Sequence, residues 1–156
     1  MAIAPTLAKY LAEKHVQYDV LPHGLTLSSM RVASASRIPD DRIAKAVLLR
    51  DATGYALAIL PASHHIRLSA LKRQYGDDVE FAREDEIIEL FDDCEEGAVP
   101  AIGECYGLDL VIDTDINAKP EIYFEAGDHA TLVHMSHSEF ATLTRTAQLG
   151  HFSRPH

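Results

Sequence analysis

Apolar and small residues alternate along residues 42–50 in a pattern that predicts a buried β-strand. Because side chains alternate between the two faces of a strand, Ile43, Lys45, Val47 and Leu49 are expected to share one face. Lys45 is the residue that does not fit this apolar row. Burying an ammonium is costly and lowers the pKa of a lysine. Such a lysine either has a partner or a function, or its aliphatic stem lies along the sheet while its ammonium reaches solvent. The alternation leaves both interpretations open.

Turn residues follow this strand and predict a β-hairpin. The sequence Asp51-Ala52-Thr53-Gly54 is typical of a tight turn, so residues 55–60 are expected to pair antiparallel with residues 43–50. Helical spacing and strand alternation then follow one another along the chain. Helices are expected near residues 5–14, 28–36, 68–75, 84–91 and 136–143, and further strands near 18–21, 79–82, 108–113, 122–125 and 131–135.

The composition is that of an ordinary globular domain. With 156 residues, 47% of them hydrophobic, and a mean hydropathy of -0.07, the chain fits one domain with a single core. We expect this domain over residues 1–150 and a C-terminal tail over residues 151–156. No apolar run approaches the roughly 20 residues of a membrane span, and residues 1–5 lack the basic flank and apolar core of a secretory signal. The sequence therefore predicts a cytoplasmic protein with no membrane partner.

The chain is acidic, with a formal net charge of -10 and a pI near 5.2. A broad nucleic-acid-binding face has the opposite sign, so any nucleic-acid partner is expected to be held at a local site or through another protein. The two cysteines, Cys94 and Cys105, match no common metal-binding spacing. In a cytoplasmic protein they are expected to be free thiols.

Nine histidines raise the question of a metal site. The tightest groupings are His64-His65 and the set of His129, His134 and His137. Neither shows the helical i, i+4 spacing or the closely spaced Cys/His pairs of zinc sites, so no metal is expected. The glycine-serine elbow of serine hydrolases and the phosphate-binding glycine loops are also missing from the sequence.

The hydrophobic residues of the segment 92–103 follow neither the alternation of a β-strand nor the spacing of an α-helix, so this segment is expected to form a loop. Within it, Gly97 permits a backbone conformation or a close ligand approach that a side chain would block, and Pro100 stiffens the segment. A rigid loop with free backbone N–H groups is suited to bind a carbonyl oxygen or an oxyanion. The alternative is an ordinary solvent-exposed loop that needs turn residues.

Five short segments carry the most specific pattern of the chain. They are Leu21-Pro22-His23-Gly24, Ile43-Ala44-Lys45-Ala46-Val47-Leu48, Leu60-Pro61-Ala62, Gly97-Ala98-Val99-Pro100-Ala101-Ile102-Gly103 and Ile122-Tyr123-Phe124-Glu125-Ala126-Gly127. In this order, over about residues 6–144, the chain resembles the YbaK/ProX-type aminoacyl-tRNA deacylases. That family includes the editing domain inserted in bacterial prolyl-tRNA synthetases.

The resemblance implies an α/β fold, namely a single compact domain with a mixed, largely antiparallel sheet flanked by helices. It also implies an enzyme without cofactor, an aminoacyl-tRNA deacylase that hydrolyses the ester between a wrong amino acid and a tRNA. The expected substrate is a small amino acid such as Ala, Ser or Cys on tRNA-Pro. Pockets discriminate one methylene by only about 1–3 kcal/mol, so synthetases that confuse small amino acids need a second hydrolytic site. The expected partners are the acceptor end of a mischarged tRNA and a synthetase on which the protein docks.

The resemblance assigns roles to individual residues. Lys45 occupies the position of the family's essential lysine and is expected to hold the substrate carbonyl or the terminal ribose. The family's loop motif is Gly-x-x-x-Pro. Here Gly97 matches, while Ala101 stands at the proline position and Pro100 lies one place earlier. Loop N–H groups from Ala98 onward are expected to stabilise the oxyanion, and the terminal hydroxyl of the tRNA to orient the attacking water. The expected substrate-binding residues are Gly97, Ala98, Val99, Pro100 and Ala101, with His23, Gly127, Asp128 and His129 at the rim.

Two other hypotheses stay open at the level of sequence. Ala101 in place of the proline favours a non-catalytic binding module or regulator of a synthetase that retains the editing fold. A metal-dependent hydrolase acting on a small ester or amide is the third hypothesis, and it requires zinc in the purified protein.

Overall fold

Short helices and short strands follow one another along the chain. The computed structural model describes residues 3–22 and 38–156, so His23 and the helix expected over residues 28–36 lie outside the described residues. Within the described part, no helix has the length and apolar character that crossing a membrane requires.

The helices are α1 (Pro5–Glu13), α2 (Leu68–Tyr75), α3 (Glu84–Leu90), α4 (Thr114–Asn117) and α5 (His137–Leu143), with 3-10 helices at Asp40–Arg42 and Glu104–Tyr106. The strands are β1 (Asp19–Pro22), β2 (Ala44–Asp51), β3 (Gly54–Pro61), β4 (His64–Ile66), β5 (Glu80–Phe81), β6 (Asp109–Asp113), β7 (Glu121–Glu125), β8 (Thr131–Ser136), β9 (Gln148–Gly150) and β10 (Ser153–Pro155).

The hairpin of β2 and β3 is the centre of the larger sheet. The two strands pair antiparallel along their whole length. The Asp51 carboxylate closes the turn between them, because it accepts hydrogen bonds from the backbone N–H of Thr53 at 2.8 Å and of Gly54 at 3.2 Å. The hairpin predicted from these turn residues is confirmed.

Two larger sheets and one strand pair make up the β-structure of the described residues. The five-stranded sheet has the order β5-β2-β3-β6-β9, in which β6 pairs parallel with β3 and β9 parallel with β6. The three-stranded sheet, β1-β8-β7, is antiparallel, and β10 pairs antiparallel with β4. A parallel bridge between Ile43 and Tyr123 connects the two larger sheets. The expected α/β class with a mixed, largely antiparallel sheet is confirmed.

The two faces of β2 pack against different apolar clusters. Ala44 and Leu48 lie in the main cluster, which also contains buried side chains of α1 and α5. Leu49 points the other way and lies in a second cluster with Leu71 and Phe152. The alternation predicted for this strand is therefore confirmed, and the strand is covered on both faces.

The C-terminal residues pack against the domain, which differs from the tail expected over residues 151–156. β10 pairs with β4, and Phe152 is 1% exposed. The buried Asp113 carboxylate accepts hydrogen bonds from the backbone N–H of Phe152 and Ser153, each at 2.9 Å, and also caps α4 by accepting from Asp115 N–H at 2.9 Å. The sequence does not reveal this packing, because the segment is short and its partners lie far away along the chain.

Candidate functional site

A cavity of about 670 Å³ opens beside β2, between that strand, helix α3 and the loop that follows α3. Lys45 and three glutamates lie on its wall, and most of the remaining surface is apolar. The apolar side chains include Val47, Leu48, Leu57, Ile87, Phe91 and Val99.

The cavity lies where the edge of β2 is not covered by β5. The pairing of β5 with β2 involves only Leu49 and Arg50, and the carbonyl oxygen of Leu48 accepts a last hydrogen bond from Ala82 N–H at 3.0 Å. Backbone polar groups of alternate residues point to the same edge of a strand. The N–H and C=O of Ala46 therefore point toward the cavity, beyond the end of β5.

Lys45 is half-buried, with its side chain in the wall of the cavity. Its ammonium has no hydrogen-bond or ion-pair partner within the described part of the chain, and burial lowers the pKa of Lys45 below its ordinary value. A partly desolvated, unpaired cation interacts strongly with an incoming oxygen or anion because little water has to be displaced.

The loop opposite Lys45 presents Gly97 and Val99 to the cavity. Gly97 has a φ of 82°, a left-handed conformation that favours glycine. The N–H of Ala98 is not free, since it donates to the carbonyl oxygen of Glu95 at 3.0 Å. Among the described residues, no acceptor is found for the N–H of Gly97 or of Val99. Within the described residues, the N–H groups of Gly97 and Val99 are therefore the candidate donors to a ligand, and that of Ala98 is not.

The other residues of the loop motif face the interior. Ala98 and Ala101 are both fully buried, and Ala101 belongs to the main apolar cluster. Pro100 is buried as well. None of the three lines the cavity. Because Ala101 does not line the cavity, alanine in place of proline at this position acts through the backbone and the packing of the loop and not through the cavity surface.

The turn after β7 supports this loop from behind. The backbone carbonyl of Gly127 accepts a hydrogen bond from Glu95 N–H at 2.7 Å. The imidazole of His129 contacts the carbonyl oxygen of Glu96 through Nε2. His129 is 4% exposed and has a φ of 62°, which is uncommon for a residue with a side chain. These two contacts fix the start of the loop relative to the smaller sheet.

Local contacts make the turn itself rigid. Asp128 accepts hydrogen bonds from Ala130 N–H at 2.9 Å and from the Thr131 hydroxyl at 3.1 Å. Gly127 has a φ of 116°, and a Cβ at this position would lie 2.9 Å from the Cβ of Ala4. Gly127 and Asp128 thus shape the turn, and neither lines the cavity.

A model of the aminoacyl-tRNA editing domain family matches residues 23–143 of the chain. The chain belongs to this family. The match includes Lys45, the loop at Gly97 and the turn at His129, and it confirms the resemblance noted from the five sequence segments. No curated protein matches the chain.

Solved structures share the fold of this editing domain. The hypothetical protein APE2540 superimposes with a TM-score of 0.83 at 19% identity, over 96% of this chain and 99% of that chain. A protein described as a candidate trans-editing enzyme for prolyl-tRNA synthetase gives 0.81 at 23% identity, over 97% and 96% of the two chains. A candidate signal transduction protein from Marinobacter aquaeolei VT8 gives 0.76 at 20% identity, over 95% of this chain and 30% of that one. At these identities the likeness concerns the fold alone.

Three acidic residues lie at the cavity of the editing domain and were not singled out from the sequence. Glu84 begins α3, and Glu95 and Glu96 belong to the loop. A hydrogen bond with the Glu96 carboxyl and its negative charge raise the pKa of Glu84. In the sequence, Glu84 is recognisable only as an acidic residue at a helix start, because the folding of the loop brings Glu96 to it. This part of the cavity favours a cationic group such as an ammonium.

The two cysteines are free, as the sequence predicts. Cys94 lines the cavity, and its Sγ lies 3.4 Å from the Tyr106 hydroxyl. Burial raises the pKa of both Cys94 and Cys105 to about 12. Since the thiolate is the nucleophile, neither thiol is suited to nucleophilic catalysis at neutral pH.

One group of three potential metal ligands occurs within the described residues, and it does not include the histidine groupings considered from the sequence. Asp113, Asp115 and His151 place their ligand atoms within 4.8 Å of one another. None of them lines the cavity. The Asp113 carboxylate already accepts backbone hydrogen bonds that hold α4 and the C-terminal segment, which is a structural role.

Proposed function

We propose that this editing domain is a trans-editing hydrolase for a mischarged tRNA, with Ala-, Ser- or Cys-tRNA-Pro as the first candidate substrates. The observation that most supports this proposal is that Lys45, Gly97 and Val99 line one cavity. Family membership supports aminoacyl-tRNA as the substrate class. An apolar wall with few polar groups is typical of a pocket that holds a small side chain.

In this proposal, the Lys45 ammonium binds the ester carbonyl oxygen or the terminal ribose of the tRNA. Its charge is available because no described residue neutralises it, and its partial burial strengthens the interaction. The role is electrostatic: Lys45 stabilises negative charge that develops on the substrate and takes no part in a covalent intermediate.

The N–H groups of Gly97 and Val99 complete the proposed site. A water molecule, oriented by the terminal hydroxyl of the tRNA, attacks the ester carbonyl carbon, and the oxygen of that carbonyl becomes an oxyanion. Preorganised backbone donors stabilise this charge most in a site from which water is excluded. The intermediate then breaks the carbon–oxygen bond to the ribose and releases the amino acid and the free tRNA hydroxyl. Glu84 and Glu96 face the α-ammonium of the amino acid.

The net charge of -10 favours contact with the acceptor end alone, either by the free protein or by the protein docked on a synthetase. A cytoplasmic location, where mischarged tRNA is formed, remains part of the proposal.

The proposal is tested by deacylation of Ala-, Ser- and Cys-tRNA-Pro with the wild type, Lys45→Ala and the control Lys72→Ala. Lys72 lies on α2 and does not line the cavity. We expect hydrolysis of at least one substrate by the wild type and the control, and a loss of about a hundredfold or more in Lys45→Ala. Equal activity of Lys45→Ala and the wild type would exclude the proposed role of Lys45.

A non-catalytic binding module is the second candidate, and Ala101 at the proline position favours it. In that case the wild type binds a mischarged tRNA without hydrolysing any member of the panel. Ala101→Pro then tests whether the missing proline explains the lack of hydrolysis. Urea denaturation checks that the larger ring is accepted at this fully buried position.

A further inference from the structure

Exposed basic side chains cluster on the strand pair β4–β10. Arg154 stands opposite His65 in the antiparallel register, and opposed residues place their side chains on the same face. The His156 ring lies 5.3 Å from the His65 ring. The backbone N–H of His156 donates to the carbonyl oxygen of Ser63 at 3.0 Å. His65, Arg154 and His156 are all exposed and form what we call the β10 cation cluster.

The β10 cation cluster lies next to Lys45. Lys45 pairs with Leu60 near the end of β3, and only two residues separate β3 from β4. Partial desolvation by the groups around it and nearby basic groups lower the pKa of His65. The basic groups that lower this pKa are His156, Arg154, Lys45 and His64. An acidic group is also close by, since the Asp115 carboxylate lies 3.7 Å from Nδ1 of His64. Arg154 is therefore the permanent positive charge of the cluster, whereas His65, with its lowered pKa, is mainly neutral at neutral pH and acts as a hydrogen-bonding group.

We propose that the β10 cation cluster binds the phosphodiester backbone of the tRNA acceptor end and thereby guides the terminal ester to Lys45. The inference rests on the proposed function, since it assigns a second contact to the same substrate. An arginine guanidinium binds phosphate oxygens in a bidentate manner, and imidazole N–H groups donate to the same oxygens.

The position of the cluster favours a phosphate chain over an isolated anion. The phosphodiesters of the acceptor end continue from the terminal nucleotide whose ester is placed at Lys45, so successive phosphates can contact side chains spread along a strand. The three glutamates at the cavity repel phosphate, so the incoming strand is expected to avoid the part of the cavity formed by α3 and the loop.

Binding is measured first, because it does not depend on turnover. The probe is a fluorescent RNA hairpin with the tRNA-Pro acceptor stem and a CCA end that carries no amino acid. It is titrated at several salt concentrations. We expect Arg154→Ala to raise the Kd about five- to tenfold at low salt and to lower the slope of log K against log salt by about 0.7, for one lost charged phosphate contact. The double variant His65→Gln/His156→Gln is expected to raise the Kd by a smaller factor, because it removes hydrogen-bonding groups rather than a permanent charge. Arg145→Ala removes another exposed arginine, beyond α5, and leaves both quantities unchanged. Unchanged Kd and slope in the cluster variants would overturn the inference.

Turnover is measured second, with mischarged tRNA and with the same amino acid esterified to adenosine, which has no phosphate. For each variant, kcat/KM for the mischarged tRNA is divided by kcat/KM for the adenosine ester. We expect this ratio to fall about five- to tenfold in Arg154→Ala, mostly through a higher KM for the tRNA. A ratio equal to that of the wild type would contradict the inference. Absence of hydrolysis of both substrates by the wild type would defeat the proposed function, and the binding experiment would still decide the role of the cluster.

Discussion

The imidazole of His129 contacts the backbone carbonyl of Glu96, immediately before Gly97 in the cavity wall. The turn after β7, in the smaller sheet, thus determines where the loop stands relative to Lys45, in the larger sheet. The candidate site depends on how the two sheets are held together as well as on the residues that line it.

Replacement of His129 by alanine tests this dependence. We expect His129→Ala to reduce kcat/KM for deacylation about ten- to a hundredfold, because the start of the loop loses its support and the N–H donors are misplaced. His15→Ala is a matched control, since His15 is the other non-glycine residue with positive φ in the described part of the chain and is exposed. If both variants retain full activity, the contact has no role in positioning the loop.

Gly127→Ala should disturb the same loop through the backbone. The new Cβ would lie 2.9 Å from the Cβ of Ala4, in addition to the strain of a φ of 116°. We expect a loss of at least about 2 kcal/mol in the free energy of unfolding. Gly107→Ala, with a φ of 73° and open space around the position, should cost about 1 kcal/mol. Urea denaturation of the two variants measures the difference, and equal losses would show that the close approach is unimportant.

Lys45→Met should stabilise the fold while it abolishes deacylation. Burial lowers the pKa of Lys45, so the unfolded chain binds this proton more tightly than the folded one. The resulting cost to stability is fully present below the folded pKa and is relieved as pH rises toward 10.5, the value of a free lysine. The variant should therefore melt at a higher temperature than the wild type at neutral pH, with a difference that shrinks at alkaline pH. Lys9→Met, at an exposed position of α1, should show no such pH-dependent difference. A lower melting temperature for Lys45→Met would contradict the prediction.

Glu86 should control stability in acid. The Tyr55 hydroxyl, the backbone N–H of Arg83 and the Arg50 guanidinium lower the pKa of Glu86 from 4.5 to about 2. Its contribution to stability is present above pH 4.5 and is lost as the pH falls toward about 2. Glu86→Gln should be less stable than the wild type at neutral pH, and the difference should narrow in acid, as measured by urea denaturation across this range. Glu80→Gln, which removes a more exposed partner of Arg50, should have a smaller effect.

Asp113→Ala should release the C-terminal segment. The buried carboxylate accepts backbone hydrogen bonds from Phe152, Ser153 and Asp115, so its loss should cost about 2–4 kcal/mol. Hydrogen exchange should show faster exchange of the Phe152 and Ser153 amides. Asp109→Ala, at an exposed position of the same strand, should change stability by less than about 0.5 kcal/mol. Unaltered exchange in Asp113→Ala would show that the segment is held by other contacts.

The predictions from sequence hold where the responsible interactions are local. The hairpin follows from four adjacent turn residues, and the position of Lys45 in its strand follows from alternation with period two. The loop at Gly97 was located correctly as an irregular segment with a glycine. The sequence does not reveal that the N–H of Ala98 pairs with the carbonyl oxygen of Glu95, three residues earlier, in a turn.

Features that depend on distant partners were missed. Strand β10 is three residues long, and its strand character depends on β4, some ninety positions earlier. Glu96 approaches Glu84 only after the loop folds back toward the start of α3. No local periodicity reports such contacts, so residues 151–156 resembled a tail and Glu84 an ordinary helix-start residue.

The pairing of β1 with β8 has a consequence for how the chain reaches this structure. Asp19 and His134, which are partners across these strands, are 115 positions apart, whereas β2 and β3 are joined by a tight turn. Closing a long loop costs entropy before its contacts can form, so the hairpin is expected early in folding and the smaller sheet late. Until β8 emerges from the ribosome, β1 lacks the strand with which it pairs in the described part of the chain, and its edge can associate with other chains. The interval between synthesis of β1 and of β8 is therefore the period in which this domain is most exposed to misassembly.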